Sequence, residues 1–135
     1  MKLYIAVLDE VPDFIVPTLV AHSVLGAHLQ YAREYIATEG KDYSVHEPFR
    51  LYLNWLDSSF KKCVVRVNRK EFDKIAAIQY TYLGHENKTL GGIKSCAVPL
   101  PVPNDQLPKV LKFAKLWSPT VWMDTNTRGQ NETVV

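Results

Sequence analysis

The chain has 135 residues, of which 47% are hydrophobic, and its formal net charge is +2. This length fits one domain with a sizeable core, and the small charge excludes nucleic-acid binding through bulk electrostatics, so such binding would need a local basic patch. Two cysteines are too few for a disulfide framework, which favours a reducing, cytoplasmic location. No apolar run approaches the roughly 20 residues of a membrane span, and the short N-terminal run does not resemble a signal peptide, so we expect no membrane association.

The first third of the chain predicts a buried strand followed by a long helix. Residues 2–8 are apolar almost throughout, as in a strand that is covered on both faces. Apolar residues then recur at three- and four-residue steps, which predicts a helix that begins between residues 14 and 17 and ends near residue 38. Beside its apolar stripe, this helix carries a second face with small and polar residues. That face contains His22, Ser23 and Gly26.

The rest of the chain predicts three further strands and three further helices. They are a helix at 47–60, a strand at 61–67, a helix at 69–78, strands at 79–83 and 93–98, and a helix at 105–117. The resulting order, β-α-α-β-α-β-β-α, predicts one α/β domain over residues 1–117, with a four-stranded mixed sheet and helices on both faces. Residues 118–135 are polar and aperiodic, so we expect a partly mobile tail that Trp122 anchors to the domain.

The start of the long helix contains Val20-Ala21-His22, followed by the small residue Ser23. This stretch resembles the end of the motif Gly-Lys-Ile-Ala-Ala-Gln-Val-Ala-His-Ala, into which the first strand leads in the type II peptidyl-tRNA hydrolases. The element order over residues 2–117 is similar as well. The resemblance implies the family's fold and hydrolysis of the ester between a peptide and the 3′ end of tRNA, without a metal. The chain departs from the motif where Ile15 and Leu19 occupy the positions of the catalytic lysine and glutamine.

The resemblance and the residue types together suggest three catalytic residues, which are His22, Glu86 and Lys88. The imidazole of His22 could position a water at the substrate end of the fold. Glu86 and Lys88 belong to a loop flanked by glycines, where Glu86 would replace the family's aspartate and Lys88 or backbone amides would stabilise an oxyanion. The alternative for His22 is a structural histidine that bonds a carbonyl where the helix meets the sheet. The alternative for Glu86 and Lys88 is an ordinary polar hairpin loop.

Two further groups of residues are candidates for binding. A basic segment could follow an RNA backbone, and it contains Lys61, Lys62, Arg66, Arg69 and Lys70. A ligand pocket beside the long helix is predicted from Asp13, Leu19, Ser23 and Gly26. The alternatives are a solvated surface for the basic residues and helix capping for Asp13. No ligand spacing indicates a metal site, and no nucleotide fingerprint indicates a cofactor.

Three functions remain open from the sequence. The first is a peptidyl-tRNA hydrolase-like enzyme with tRNA or peptidyl-tRNA as its partner, acting as a monomer or homodimer. The second is a catalytically inactive binding protein on the same fold, which would hold tRNA, a small nucleotide or a peptide as a viral accessory or sequestering protein does. The third is a homo-oligomeric scaffold that presents an aromatic surface. That surface would consist of Tyr31, Tyr35, Tyr52, Trp55 and Trp122.

Overall fold

A computed structural model describes residues 1–87 and 91–119 of the chain, so Lys88, Trp122 and most of the predicted tail lie outside the described residues. The strands are β1 (Lys2–Leu8), β2 (Lys61–Val67), β3 (Tyr82–His85), β4 (Lys94–Val98) and β5 (Lys115–Leu116). The helices are α1 (Val16–Ala37), α2 (Tyr43–Asp57), α3 (Arg69–Ala76) and α4 (Lys109–Lys112), with 3-10 turns at Asp13–Ile15 and Asn104–Gln106. The predicted α/β class is therefore confirmed. Within the described ranges, no helix is both long enough and apolar enough to cross a membrane.

Local sequence signals explain where two of the helices begin. The side chain of Asp42 accepts a hydrogen bond from the Ser44 backbone amide and caps α2. Asn68 and Glu71 form a reciprocal capping box at the start of α3, in which each side chain bonds the backbone amide of the other residue. Such caps satisfy amides that have no partner inside the helix. The Asp42 cap fixes the point at which α2 follows α1, and the Asn68 cap fixes the point at which the chain leaves β2.

The sheet has the strand order β3-β4-β1-β2-β5. β1 pairs in parallel with β2, whereas β4 is antiparallel to both β1 and β3. It follows that β1, β2 and β3 all point the same way, and their carboxyl ends share one edge of the sheet, which we call the carboxyl edge. α1 packs against β1, β3 and β4, and α3 packs against β1, β2 and β4. The central strand β1 is buried from Ile5 to Leu8, as its unbroken apolar sequence predicts.

The prediction of a final helix over residues 105–117 is wrong, and the described part of the chain forms a sheet of five strands instead of four. Pro108 explains the difference, because a proline disfavours helical backbone at the residue before it. Leu107 is accordingly extended, with ψ of 125°, and only the four residues of α4 follow. The chain then extends, and β5 pairs with β2 at the edge of the sheet, where the Trp117 amide donates to the Val64 carbonyl at 2.9 Å.

The predicted aromatic surface is also wrong, because three of its members are buried. Tyr31, Tyr52 and Trp55 are 0%, 2% and 2% exposed, respectively. Their rings contact one another where α1 meets α2: Tyr31 and Tyr52 are edge to face with centroids 5.1 Å apart, and Tyr52 and Trp55 are tilted with centroids 5.5 Å apart. Burial of such large rings contributes a major part of core stability. These residues therefore hold α2 onto α1 and are not available to a partner.

The hydroxyl of Tyr31 joins α1 to two strands of the sheet. It lies 2.5 Å from the Val98 carbonyl and 2.9 Å from the Tyr80 carbonyl, and it accepts a hydrogen bond from the Tyr82 amide at 3.0 Å. Burial raises the pKa of this phenol well above its usual range, so the hydroxyl keeps its proton and donates it to a carbonyl. One hydroxyl thus satisfies backbone groups of both strands at the end of the β3–β4 pairing where Tyr82 lies opposite Val98.

We expect Tyr31→Phe to lower the free energy of unfolding by about 2 kcal/mol, because buried backbone groups lose their partner without gaining water. Urea denaturation followed by circular dichroism measures this loss. Tyr35→Phe is the matched control, since it removes a hydroxyl from a half-buried ring of the same helix that packs on His46. Equal stabilities of the two variants would contradict the role assigned to the Tyr31 hydroxyl.

Candidate functional site

Two histidines meet at the carboxyl edge of the sheet. His22 lies on α1 and His85 ends β3, and their ring centroids are 6.2 Å apart with the rings edge to face. They line a cleft of about 300 Å³ together with Thr18, Glu86 and Asn87. This volume is at the lower end of the range for small-molecule sites. All five side chains are polar, so the cleft can form hydrogen bonds with a ligand in several directions.

Local geometry explains how these residues converge. Thr18 and His22 are four residues apart on α1, and residues at this spacing lie one above the other on the same face of a helix. At the facing strand, the pairing of β3 with β4 shifts register between Gly84 and His85. Such an irregularity redirects a strand locally and is common beside functional sites. It turns the chain so that Glu86 and Asn87 reach the same cleft.

A neighbouring lysine favours one tautomer of His85. The ammonium Nζ of Lys94, on β4, lies 3.3 Å from the Nδ1 atom of His85. An ammonium group can only donate hydrogen bonds, so this contact favours the tautomer in which Nδ1 accepts and Nε2 carries the proton. His85 can therefore donate a hydrogen bond from Nε2 while His22 accepts a proton.

The structure brings together two of the three predicted catalytic residues, His22 and Glu86, while Lys88 lies outside the described residues. The sequence interpretation did not assign a role to His85, Lys94, Thr18 or Asn87. The pairing of His85 with Lys94 across the β3–β4 hairpin could have indicated the first two. Among residues 1–87 and 91–119, no three His, Cys, Asp or Glu side chains are arranged to hold a metal ion.

Two residues of the predicted ligand pocket lie in the seam between α1 and the sheet. Leu19 and Ser23 are both 0% exposed, and Ser23 packs directly against Gly84 of β3. A ligand could reach them only if the helix moved away from the sheet.

Beneath the seam, burial raises the pKa of the Cys96 thiol to about 11, so this cysteine is protonated and unreactive at neutral pH.

The other two residues of that prediction lie apart from each other. Gly26 lines a shallow groove with Leu29, Arg33 and Tyr82, among others. Asp13 pairs with Arg66, with 3.2 Å between the carboxylate Oδ1 and the guanidinium. The four residues do not form one pocket, because they point to three different parts of the fold.

The predicted basic segment is divided between the two edges of the sheet. Lys61 and Lys62 belong to the amino end of β2, where the Lys62 ammonium lies 3.2 Å from the ring centroid of Phe60. Arg66, Arg69 and Lys70 lie at or beyond the carboxyl end, roughly 13 Å further along the strand direction at about 3.3 Å per residue. The segment is therefore not one continuous patch.

Acidic residues neutralise part of the basic group at the carboxyl edge. Arg66 pairs with Asp13, donates to the Ser118 carbonyl at 2.7 Å and stacks over the Trp117 ring at 5.2 Å. Arg69 pairs with Glu10 at 3.2 Å, with both side chains about half exposed. An exposed pair of this kind is weak and can exchange its partner for a phosphate. Of the three predicted basic residues at this edge, Arg69 and Lys70 are thus the accessible ones.

No protein-family model matches the chain, and a search of curated proteins finds no match.

Proposed function

We propose that the chain is a peptidyl-tRNA hydrolase-like enzyme, which hydrolyses the ester between a peptide and the 3′ end of tRNA in the cleft between His22 and His85. The observation that carries this proposal is the convergence of two imidazoles with Glu86, Asn87 and Thr18, from two separate elements, on one cleft. These groups supply a proton acceptor, a hydrogen-bond donor and polar anchors, which ester hydrolysis requires. The motif Val20-Ala21-His22 and the order of the elements add support.

The proposed reaction assigns one role to each imidazole. His22 accepts a proton from a water molecule as the water oxygen attacks the carbonyl carbon of the ester. The Nε2 proton of His85 donates a hydrogen bond to the oxyanion that develops on the carbonyl oxygen. The bond between the carbonyl carbon and the ribose 3′ oxygen then breaks, and that oxygen takes the proton from His22. The products are a peptide with a free carboxyl group and a deacylated tRNA.

The same edge of the sheet offers a path for the RNA. β2 and β3 are separated by β1 and β4, so the start of α3 lies about 14 Å from the cleft, or three strand spacings along the carboxyl edge. An RNA whose 3′ end enters the cleft can therefore pass over Arg69 and Lys70. Lys61 and Lys62 lie at the opposite edge, so one RNA helix that leaves the cleft in this direction does not meet them.

This path predicts which cations contribute to tRNA binding. We expect Lys70→Glu to weaken tRNA binding by roughly 3–10-fold and to reduce the slope of log affinity against log salt by about one unit. Lys61→Glu makes the same charge change at the opposite edge and should leave affinity within about twofold. Fluorescence anisotropy with labelled tRNA at several salt concentrations measures both values. Equal losses in the two variants would show that the RNA does not follow the carboxyl edge.

The hydrolase proposal has a direct test. The purified chain is incubated with tRNA that carries a labelled N-acetylaminoacyl group, and release of the label is measured over time. We expect release above the spontaneous rate, with heat-denatured protein as the blank. A protein that is folded by circular dichroism but does not accelerate release would refute the hydrolase.

A catalytically inactive binding protein is the second candidate, and one observation favours it. Ile15 and Leu19, which stand where the resemblance places the catalytic lysine and glutamine, pack with the hydrophobic core. A tRNA end or small nucleotide would then be held by the polar groups of the cleft without turnover. Binding that is lost in His22→Ala, together with no release of the label, would identify this function.

A further inference from the structure

α1 has a second apolar face, which points away from the sheet. Its large side chains are well exposed: Phe14, in the turn that leads into α1, is 76% exposed, Leu25 is 65%, Leu29 is 53% and Ile36 is 70%. The opposite face of the same helix is buried in the core. A helix that is apolar all round is usually covered on both sides, whereas a solvent-facing side usually carries polar residues. Within the described residues, nothing covers this outer face.

The exposed side chains belong to a regular pattern, which we call the outer stripe. It consists of Phe14, Thr18, Ala21, Leu25, Leu29, Ala32 and Ile36, of which Thr18 lies at the margin and also lines the cleft beside His22. Successive members are three or four residues apart, so they follow one line along the helix surface. The stripe contains no charged residue, although Arg33 and Glu34 are close to it in sequence. It extends over the whole of α1, which at 1.5 Å per residue is about 33 Å long.

The members of the outer stripe are spaced symmetrically on either side of Leu25. Ala21 and Leu29 lie four residues on either side of it, Thr18 and Ala32 lie seven, and Phe14 and Ile36 lie eleven. If two copies of the helix pack antiparallel about Leu25, each residue meets the other member of its pair. Large Leu29 then faces small Ala21, and Phe14 faces Ile36. Such self-complementarity is what a two-fold symmetric interface requires, and an unrelated partner would not require it.

We propose that the outer stripe forms a homodimer interface, in which two copies of α1 pack antiparallel around a two-fold axis at Leu25. The antiparallel arrangement also places the positive end of each helix dipole beside the negative end of the other. A contact between two helix faces buries an area near the lower limit for stable complexes. We therefore expect a reversible dimer with a dissociation constant in the micromolar range.

The two-fold axis gives this proposal a sharp test. In the dimer each Leu25 meets its own copy, so Leu25→Glu and Leu25→Lys each bring like charges together and should make the protein monomeric. An equal mixture of the two variants brings opposite charges together and should restore a dimer with one copy of each. Sedimentation velocity over a wide concentration range measures both effects. Phe113→Glu is the matched control, because Phe113 is 72% exposed outside the stripe and the variant should dimerise normally.

Cross-linking determines the direction of the helices. A mixture of Ala21→Cys and Leu29→Cys should form a disulfide between the two variants under mild oxidation, whereas Ala21→Cys alone should not. Linking of Ala21→Cys to itself would indicate parallel helices and overturn the antiparallel arrangement. A wild-type chain that stays monomeric at high concentration would overturn the dimer itself. A dimer that survives Leu25→Glu, or a Glu–Lys mixture that stays monomeric, would exclude the outer stripe as its interface.

Discussion

Gly84→Ala is expected to lower the free energy of unfolding by about 3 kcal/mol, because the added methyl group has no space. A Cβ atom at position 84 would lie 2.0 Å from the Oγ atom of Ser23 and 2.8 Å from its Cβ atom. Both residues are buried, and α1 packs closely on β3 along this seam. A protein interior of normal density cannot absorb such an overlap without moving the backbone.

A compensating substitution tests this explanation directly. Ser23→Gly removes both atoms that clash, after which the nearest neighbour of the new methyl group is the Ser23 Cα atom at 3.4 Å. The double variant should therefore recover most of the lost stability, less about 1 kcal/mol for a glycine inside a helix. Urea denaturation of the wild type, the two single variants and the double variant gives the four unfolding free energies of the double-mutant cycle.

Gly26→Ala provides the contrast for Gly84→Ala. Its Cβ atom would lie 2.1 Å from the Tyr82 hydroxyl and 2.4 Å from the ring carbon Cζ, which form the far end of a side chain that can rotate away. We expect a loss of about 1 kcal/mol or less at this position, partly offset by the better helix propensity of alanine. Equal losses for the two glycines, or a double variant no more stable than Gly84→Ala, would contradict the packing of Ser23 against Gly84.

In the tRNA release assay, His22→Ala is expected to lower kcat by roughly 10²–10³-fold, because general base catalysis usually contributes a factor of this size. Its affinity for tRNA should change little, since the predicted RNA path lies over Arg69 and Lys70. His46→Ala is the matched control, because that imidazole is on α2 and bonds the Thr38 hydroxyl at 2.9 Å. Single-turnover kinetics separates the chemical step from binding.

The pattern of losses distinguishes the roles that His22 can have. A residue that acts only in the transition state lowers kcat without a comparable rise in KM. If His22→Ala weakens binding and leaves kcat unchanged, His22 holds the substrate and another group positions the water. If His22→Ala keeps the full rate and affinity, the cleft is not the active site.

The elements whose sequence signal is purely local were predicted well. β1 and β2 begin and end where their apolar and β-branched runs do, and α1 matches its apolar period to within two residues at either end. The predicted last helix is wrong, because the effect of Pro108 on the backbone of Leu107 outweighs the helical spacing of the apolar residues after residue 105. β5 was missed for a different reason: two residues carry too little pattern, and the strand depends on the exposed edge of β2.

The site was predictable only in part, because much of it depends on tertiary geometry. His22 was found through its motif, but its neighbour Ser23 is rotated by about 100° around the helix axis and faces the sheet. The meeting of His85 with Lys94 depends on the register of the β3–β4 hairpin, which no short pattern fixes. The parallel pairing of β1 with β2 brings Asp13, which follows β1 in the chain, close to its partner Arg66 on β2.

The central place of β1 also has a consequence for the newly made chain. Both strands that pair with β1 follow it in the chain. Lys2 lies opposite Lys61 of β2, and Ala6 lies opposite Ala97 of β4. At 5–20 residues per second, a ribosome needs roughly 3–12 s to add the sixty or so residues that separate β1 from the end of β2. During that time an apolar strand with two unpaired edges is exposed, which invites aggregation and chaperone binding. β1 therefore leaves the ribosome well before either of the strands that complete its hydrogen bonds.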